Sequence, residues 1–335
     1  MVWLDNSRIL AVYAVIFLHV SAGVVAGNDV GTEYWWIGNI YDSAVRWCVP
    51  VFVMVSGALL LDPKKQEGLL DFYIKRLSRI LVPILAWSIF FIAWTFFKSS
   101  LKGDELTSIE LLKRLISGKP YYHMWFLYMI LGLYLFTPFF RKIVKYSSIR
   151  ELIFLIVITL IMSALNYAYG KFSSGGEKLF INWFLLYIPF FFLGYFIRQD
   201  NNHSKIILWS IFIISVILTF IGCYIVSINT NLNNGLYFYG YLSVTVIPMS
   251  VSFMYILKAW NKPMINSRFT KNISTLTLGT YLIHPIILEV INYKQYGAMS
   301  LHPIISIPVT TCIVFIVSTG VVKIIHVIPF FKRVI

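Results

Sequence analysis

Residues 9–28 read ILAVYAVIFLHVSAGVVAGN and contain no Asp, Glu, Lys or Arg. About 20 apolar residues are enough to cross the hydrocarbon core of a bilayer as a helix. The stretch therefore predicts a transmembrane helix close to the N-terminus. His19 lies inside this apolar run, where a titratable side chain needs a specific reason to be present.

Runs of similar length recur to the end of the chain. Residues 206–257 are also free of charge, but the polar turn formers SINTNLNNG (227–235) divide them into two spans. The other predicted spans are 43–61, 80–97, 120–140, 152–170, 179–197, 272–291 and 303–325. We therefore expect an all-α polytopic membrane protein with about ten transmembrane helices, which form one domain over residues 1–335.

The composition agrees with a membrane protein. The chain has 335 residues, of which 59% are hydrophobic and 13% charged, whereas soluble domains have about 25% charged residues. A net charge of +14 could indicate a nucleic-acid partner, but the basic residues lie in short loops between spans. With a cytoplasmic N-terminus, 18 of the 28 Lys and Arg residues fall in cytoplasmic segments and 8 in outer loops. The positive-inside rule therefore predicts that both termini are cytoplasmic. We therefore expect the protein to be surrounded by membrane lipids and to bind no nucleic acid.

Two loops have an amphipathic pattern. Residues 64–80 mix apolar and basic side chains, and residues 104–118 carry acids early, bases late and Gly118 as a stop signal. Both segments suit the membrane interface. The simpler interpretation, which we prefer for residues 104–118, is that they anchor the neighbouring spans.

Arg8 and His19 are the clearest polar pair of the first span. Eleven residues of α-helix turn three times plus about 20° and advance about 16 Å. The two side chains therefore share one helix face, with Arg8 at the cytoplasmic mouth and His19 near the midplane. Asp5 is close enough in sequence to pair with Arg8. A neutral imidazole can act as a general base near physiological pH, or it can hydrogen-bond between helices for packing. The first span alone leaves these two interpretations equal.

Other polar side chains share the predicted interior. Asp42 and Arg46 form an i,i+4 pair at the external end of the second span, which suits a salt bridge. Ser56 and Gly57 lie deeper in that span, where small residues allow close approach of helices. We expect Arg46 and Ser56 to contribute to substrate binding.

Two histidines lie in later spans. His123 and Trp125 open the fourth span from the external side, where Trp125 also suits an interfacial aromatic belt. His284 precedes Pro285, which frees a backbone carbonyl that only neighbouring protein or water can satisfy. We expect His123, Trp125 and His284 to contact substrate.

A basic cluster follows the second span. Lys75, Arg76 and Arg79 fall within about 100° of arc on one helix. Such a cluster suits a phosphorylated ligand on the cytoplasmic side. The alternative is that these residues only determine topology, which the positive-inside rule favours.

Five segments together resemble a known family. Asp5, Arg8 and His19 open the pattern, and VPVFVMVSG (49–57), YIKRLSRILVP (73–83), YYHMWFLYMILGLYLFTP (121–138) and LGTYLIHP (278–285) follow in order. This order resembles the acyltransferase-3 family of bacterial inner-membrane proteins over most of the chain. Within that family, the chain is most similar to the type that O-acetylates enterobacterial common antigen.

The resemblance implies transfer of an acyl group, usually acetyl, from cytoplasmic acetyl-CoA to a hydroxyl of an envelope glycan or its lipid-linked precursor. Arg8 and His19 match the family's essential pair, and Lys75, Arg76 and Arg79 match its basic segment, where we expect the cofactor to bind. His19 is then the catalytic base. A thioester needs no metal, and no metal-ligand spacing is present in the sequence.

A proton-coupled transporter or flippase is the alternative, because buried ionisable groups such as His284 and Glu289 suit a carrier. Inverted repeats with paired broken helices are typical of such transporters. Pro83, Pro138, Pro189 and Pro248 interrupt spans but show no such symmetry.

Overall fold

The computed structural model describes residues 1–64, 67–103, 107–172, 183–200, 203–328, 332 and 334–335. These residues form helices and turns without a strand, which confirms the all-helical prediction. The helices are α1 Val2–Ala26, α2 Glu33–Ala44, α3 Cys48–Leu60, α4 Leu69–Lys102, α5 Ser108–Ile116, α6 Trp125–Tyr146, α7 Ile149–Phe172, α8 Trp183–Gln199, α9 Lys205–Asn229, α10 Leu232–Gly235, α11 Val246–Ala259, α12 Ser267–Tyr293 and α13 Pro303–Ile325. A 3₁₀ turn, Leu236–Tyr239, follows α10.

Eight helical stretches of the described chain are long and apolar enough to cross a membrane. One of them, Glu33–Leu60, consists of α2 and α3 together. The shorter apolar helices α8 and α11, of 17 and 14 residues, occupy two further regions in which the sequence predicts spans. The structure therefore describes a multi-pass membrane protein with eight helical stretches of spanning length and two shorter ones.

The second span differs from its prediction. It begins at Glu33 rather than near residue 43, and it breaks between Ala44 and Cys48. Pro50 lies in the first turn of α3, where its missing N–H is tolerated, and it prevents a continuous helix through the preceding turn. Arg46 consequently lies at a break inside the span and not at its external end.

The two amphipathic segments form different structures. Residues 69–80 are the first part of α4, a continuous helix of 34 residues that also contains Pro83. The second segment forms the short helix α5, whose Thr107 and Glu110 make a reciprocal capping box. Ile109, Leu112 and Ile116 of α5 are exposed, as expected for a helix that lies in an interface.

Helix α1 lies at the centre of the bundle and contacts α2, α3, α11, α12 and α13. The chain begins at one end of it, and residues 334–335 fold back against α4 and α12. Asn6 donates to the carbonyl of Lys262 over 2.9 Å, and Trp87 donates to that of Val334 over 2.8 Å. We call this end the termini face. The opposite face carries the connections after α1 and α12, where Asn28 contacts Met299.

Helices α3 and α8 pack in direct backbone contact. A Cβ atom at Gly57 would overlap with the carbonyl of Phe191, and one at Gly194 would overlap with the carbonyl of Met54. The expectation that small residues near Ser56 allow close helix approach is therefore correct for Gly57. Ser56, one residue earlier, points elsewhere and lines a cavity.

Candidate active site

A cavity of about 340 Å³ opens at the termini face between α1, α3, α4, α6 and α12. We call it the arginine cavity. Its polar lining consists of Arg8, Ser56, Arg76, Arg79, Tyr134, Ser274, Thr275, Thr277 and Tyr281. Apolar side chains such as Phe52 and Phe126 form the rest of its wall. Arg8 of the opening motif thus lines the same cavity as Arg76 and Arg79 of the basic segment. These residues are about 70 positions apart in sequence.

The three arginines of this cavity have no acidic partner within the described part of the chain. Asp5, which could have paired with Arg8, instead accepts a hydrogen bond from Ser274 over 2.8 Å. The Nε atom of Arg76 is buried and makes no hydrogen bond. Guanidinium groups without a counter-ion are suited to bind phosphate through paired N–H groups. The cavity therefore has the chemistry of an anion site.

Lys75 does not line the arginine cavity. Its ammonium lies 3.4 Å from Glu67, whose second carboxylate oxygen lies 3.6 Å from Arg141. Burial acts to raise the pKa of the Glu67 carboxyl, but the hydrogen bond from Lys75 and the charges of Arg76 and Arg141 outweigh it, so this pKa is lowered. Glu67 therefore stays ionised and pairs with Lys75 and Arg141, and its charge also reaches Arg76.

A second cavity, of about 580 Å³, opens at the opposite face. We call it the histidine cavity, because His19 lines it together with Val20, Gly23, Leu288, Asn292, Gln295, Gly297, Ala298, Met299 and Ser300. Helix α12 ends at Tyr293, and Gln295 adopts a positive φ of 61°, a conformation that commonly terminates helices. No Asp, Glu, Lys or Arg is among the lining residues. The cavity is thus polar but uncharged.

Three histidines form what we call the imidazole cluster, which consists of His19, His123 and His284. The ring of His284 lies 5.3 Å from that of His19 and 5.4 Å from that of His123, measured between centroids. Tyr122 packs edge-on against His19 at 4.9 Å. Both ring nitrogens of His123 and the Nε2 atom of His284 are buried without a hydrogen-bond partner. Buried polar atoms are usually paired, so these nitrogens are unusual for the interior of a protein.

The imidazole cluster lies between the two cavities. Tyr281, His284 and Leu288 follow one another on one face of α12, since helix positions three to four apart are neighbours. Tyr281 lines the arginine cavity, and Leu288 lines the histidine cavity. The Tyr281 hydroxyl donates to the carbonyl of His123. His284 therefore lies between the two cavities along α12.

Arg46 and Trp125 lie outside this arrangement. Arg46 forms an ion pair with Asp42, donates to the carbonyl of Tyr239 over 3.2 Å and lies 4.1 Å from the centre of its ring. Asp42 is 0% exposed and Arg46 is 9% exposed, so the predicted salt bridge is confirmed and is buried. Trp125 packs among aromatic rings, with Tyr241 at 5.8 Å. Neither residue lines the arginine or the histidine cavity.

Glu289 is fixed by several donors. Lys98 lies 2.9 Å from its carboxylate, Trp94 donates to it over 2.9 Å, and the Tyr121 hydroxyl also donates to it. These contacts join α4, the turn before α6, and α12. Glu289 is therefore part of a structural ion pair that holds the helices around the imidazole cluster.

Sequence reasoning did not identify the polar wall of the histidine cavity. Asn292, Gln295 and Ser300 lie in the connection after α12, and only their proximity to α1 in space makes them candidates. Among the described residues, no group of three His, Cys, Asp or Glu side chains has an arrangement that could hold a metal ion.

The fold and the two cavities define a multi-pass membrane protein with a buried polar centre. A family model described as an acyltransferase domain (Acyl_transf_3) matches residues 1–323. The chain therefore belongs to this acyltransferase family, which favours an enzyme over a transporter. No curated protein and no solved structure matches the chain.

Proposed function

We propose that this protein is an O-acetyltransferase that moves an acetyl group from acetyl-CoA to a hydroxyl of an envelope glycan or its lipid-linked precursor. One observation carries the proposal. The same helix, α1, contributes Arg8 to a cavity with three arginines that form no ion pair among the described residues, and His19 to a cluster of buried imidazoles. An anion site and a proton acceptor are the two features that this reaction needs.

The arginine cavity is the proposed donor site. CoA carries several phosphates, and Arg8, Arg76 and Arg79 are free to bind them with charge-assisted hydrogen bonds. The apolar wall formed by Phe52 and Phe126 suits the less polar arm that carries the thioester. The acetyl end would then reach Tyr281, beside the imidazole cluster.

His19 is the proposed general base. Its imidazole removes the proton from the acceptor hydroxyl as the oxygen attacks the thioester carbonyl carbon. The carbon–sulfur bond then breaks, and the thiolate leaves with the proton that His19 had taken. The products are the O-acetyl ester and free CoA, with neutral His19 restored.

The orientation follows from charge. The termini face carries the basic segments, so the positive-inside rule places it in the cytoplasm, where acetyl-CoA is available. The histidine cavity then faces the envelope side of a bacterial inner membrane. Its uncharged polar wall, with Asn292 and Gln295, suits a sugar, and enterobacterial common antigen is an acceptor of the proposed kind.

The test is acetyl transfer by membranes that contain the protein. Acetyl-labelled acetyl-CoA is added, and label is counted in the glycolipid fraction of the same membranes. We expect transfer by the wild type, a loss of about 10²-fold or more in His19→Ala, and no loss in His326→Ala at matched protein level. Equal labelling with His19→Ala would refute the role of His19. A wild type that neither labels glycolipid nor binds acetyl-CoA would refute the function.

A further inference from the structure

Pro285 interrupts the hydrogen bonding of α12 next to the imidazole cluster. In an α-helix, the N–H of residue 285 would bond to the carbonyl of residue 281. Proline has no N–H, so the carbonyl of Tyr281 loses its regular partner. His284 replaces that partner, since its Nδ1 atom lies 2.6 Å from the Tyr281 oxygen.

This contact determines the tautomer of His284. A carbonyl oxygen only accepts hydrogen bonds, so Nδ1 must carry the hydrogen. In a neutral imidazole, Nε2 is then the unprotonated nitrogen, with its lone pair available. That nitrogen belongs to a side chain that is 0% exposed, and it has no hydrogen-bond partner among the described residues. An unsatisfied buried acceptor costs about 1–3 kcal/mol, so a role for it is expected.

His19 and His123 are both close enough to donate to the Nε2 atom of His284, and His19 is the one that also lines the histidine cavity. The ring centroids of His19 and His284 are 5.3 Å apart, and two imidazoles joined through an N–H···N hydrogen bond have centroids about 5 Å apart at ordinary hydrogen-bond lengths. The ring planes are inclined by 21°, and the proposed bond requires a nitrogen of each ring to turn toward the other ring. Arg46, whose charge also reaches His19, is a cation and cannot accept this hydrogen.

We propose that Pro285 and the Tyr281 carbonyl hold His284 as the Nδ1–H tautomer, and that its Nε2 atom accepts a hydrogen bond from His19 during the reaction. His284 is then a positioning residue that acts through His19. This inference rests on the proposed acetyl transfer, because it explains how His19 is prepared for it.

The arrangement has a definite consequence for His19. When one ring nitrogen donates its hydrogen to His284, the other nitrogen keeps its lone pair and can face the acceptor hydroxyl in the histidine cavity. After proton uptake, the positive charge on His19 strengthens the same hydrogen bond. The bond is therefore stronger in the transition state than before it, which is the condition for a higher rate.

Pro285→Ala is the sharpest test. Alanine restores an N–H that competes with His284 for the Tyr281 carbonyl, so the hydrogen bond that fixes the tautomer is weakened. Helix propensity predicts a more stable helix by up to about 3 kcal/mol, so instability does not explain a loss of activity. We expect kcat to fall about 10- to 100-fold, as for loss of a hydrogen bond to a charged group, with an unchanged KM for acetyl-CoA.

Pro308→Ala is the matched control. Pro308 interrupts α13 in the same way, and the carbonyl that it frees, that of Ile304, accepts a hydrogen bond from Tyr41 over 3.1 Å. Neither residue belongs to the imidazole cluster. We expect a wild-type kcat for this variant. Equal losses in the two proline variants would show a general effect of helix shape and overturn the proposal, as would a wild-type kcat in Pro285→Ala.

Two substitutions of His284 separate its donor from its acceptor. Asparagine can still donate to the Tyr281 carbonyl but places no acceptor near Nε2, whereas the amide of glutamine reaches the Nε2 position. We expect His284→Gln to retain a larger share of kcat than His284→Asn. The opposite order overturns the proposal. All variants are assayed in membranes with labelled acetyl-CoA and the endogenous glycolipid. A wild type without transfer would instead disprove the proposed function.

Discussion

Arg8 and His19 stand on one face of α1 but line two different cavities. Arg8 belongs to the arginine cavity at the termini face, and His19 belongs to the histidine cavity at the opposite face. The eleven residues between them correspond to an advance of about 16 Å. Donor binding and proton transfer are therefore assigned to separate ends of one helix, and variants at the two ends should have different kinetic effects.

Substitution of Arg76 tests donor binding. Arg76→Gln removes a guanidinium that lines the cavity without a counter-ion. A hydrogen bond to a charged group contributes about 1.5–3 kcal/mol, so we expect the KM for acetyl-CoA to rise about 10- to 100-fold. Arg150→Gln, which changes an exposed arginine at the start of α7, is the control. A KM that is unchanged in Arg76→Gln would contradict the donor site.

Substitution of Gly23 tests whether the acceptor binds in the histidine cavity. Gly23 lies one turn after His19, and a Cβ added there meets nothing within 4 Å. Gly23→Leu should fill the space above His19, and we expect acetyl transfer to glycolipid to fall while the binding of acetyl-CoA persists. Gly320→Leu is the control, because Gly320 in α13 also has open space around it. If both variants transfer acetyl groups normally, the acceptor does not use this cavity.

Gly57 tests the packing of α3 against α8. A Cβ at this position overlaps with the carbonyl of Phe191, and backbone atoms cannot move aside easily. We expect Gly57→Ala to destabilise the protein by about 1–3 kcal/mol, visible as a lower Tm in detergent. Gly320→Ala should not lower the Tm. An unchanged Tm for Gly57→Ala would mean that the helices are further apart than described.

We expect the ion pair of Asp42 and Arg46 to stabilise the folded protein. Removal of one partner from a buried pair costs about 3–5 kcal/mol, so we expect Asp42→Leu to lower the Tm strongly. The double variant Asp42→Leu/Arg46→Met removes both charges and should recover much of that loss. If Arg46 binds substrate instead, the double variant will be stable but will have a raised KM for the acceptor.

Part of the candidate site can be predicted from the geometry of single helices and the chemistry of single residues. The shared face of Arg8 and His19 follows from helix periodicity, and a freed carbonyl before Pro285 follows from the chemistry of proline. The identity of the donor to that carbonyl was not predicted, because it depends on the rotamer of His284. The position of Arg46 was predicted incorrectly, since the helix continues beyond the expected start of the span and the residue contacts Tyr239, far along the chain.

The polar wall of the histidine cavity also needed the structure. Asn292 and Gln295 have no sequence pattern that connects them to His19, because the connection after α12 approaches α1 only through the tertiary fold. The same holds for Glu67, which separates Lys75 from Arg76 and Arg79 in function. Lys75, Arg76 and Arg79 are close together in sequence, but of the three only Lys75 forms an ion pair with Glu67.

The most direct test of the account measures binding and transfer on the same purified protein. Labelled acetyl-CoA is titrated against the wild type, His19→Ala and Arg8→Gln, and acetyl transfer to extracted glycolipid is followed in parallel. We predict that His19→Ala binds acetyl-CoA with the Kd of the wild type but does not transfer the acetyl group, and that Arg8→Gln binds it more weakly. Wild-type transfer by His19→Ala, or unchanged binding by Arg8→Gln, would contradict the division of roles along α1.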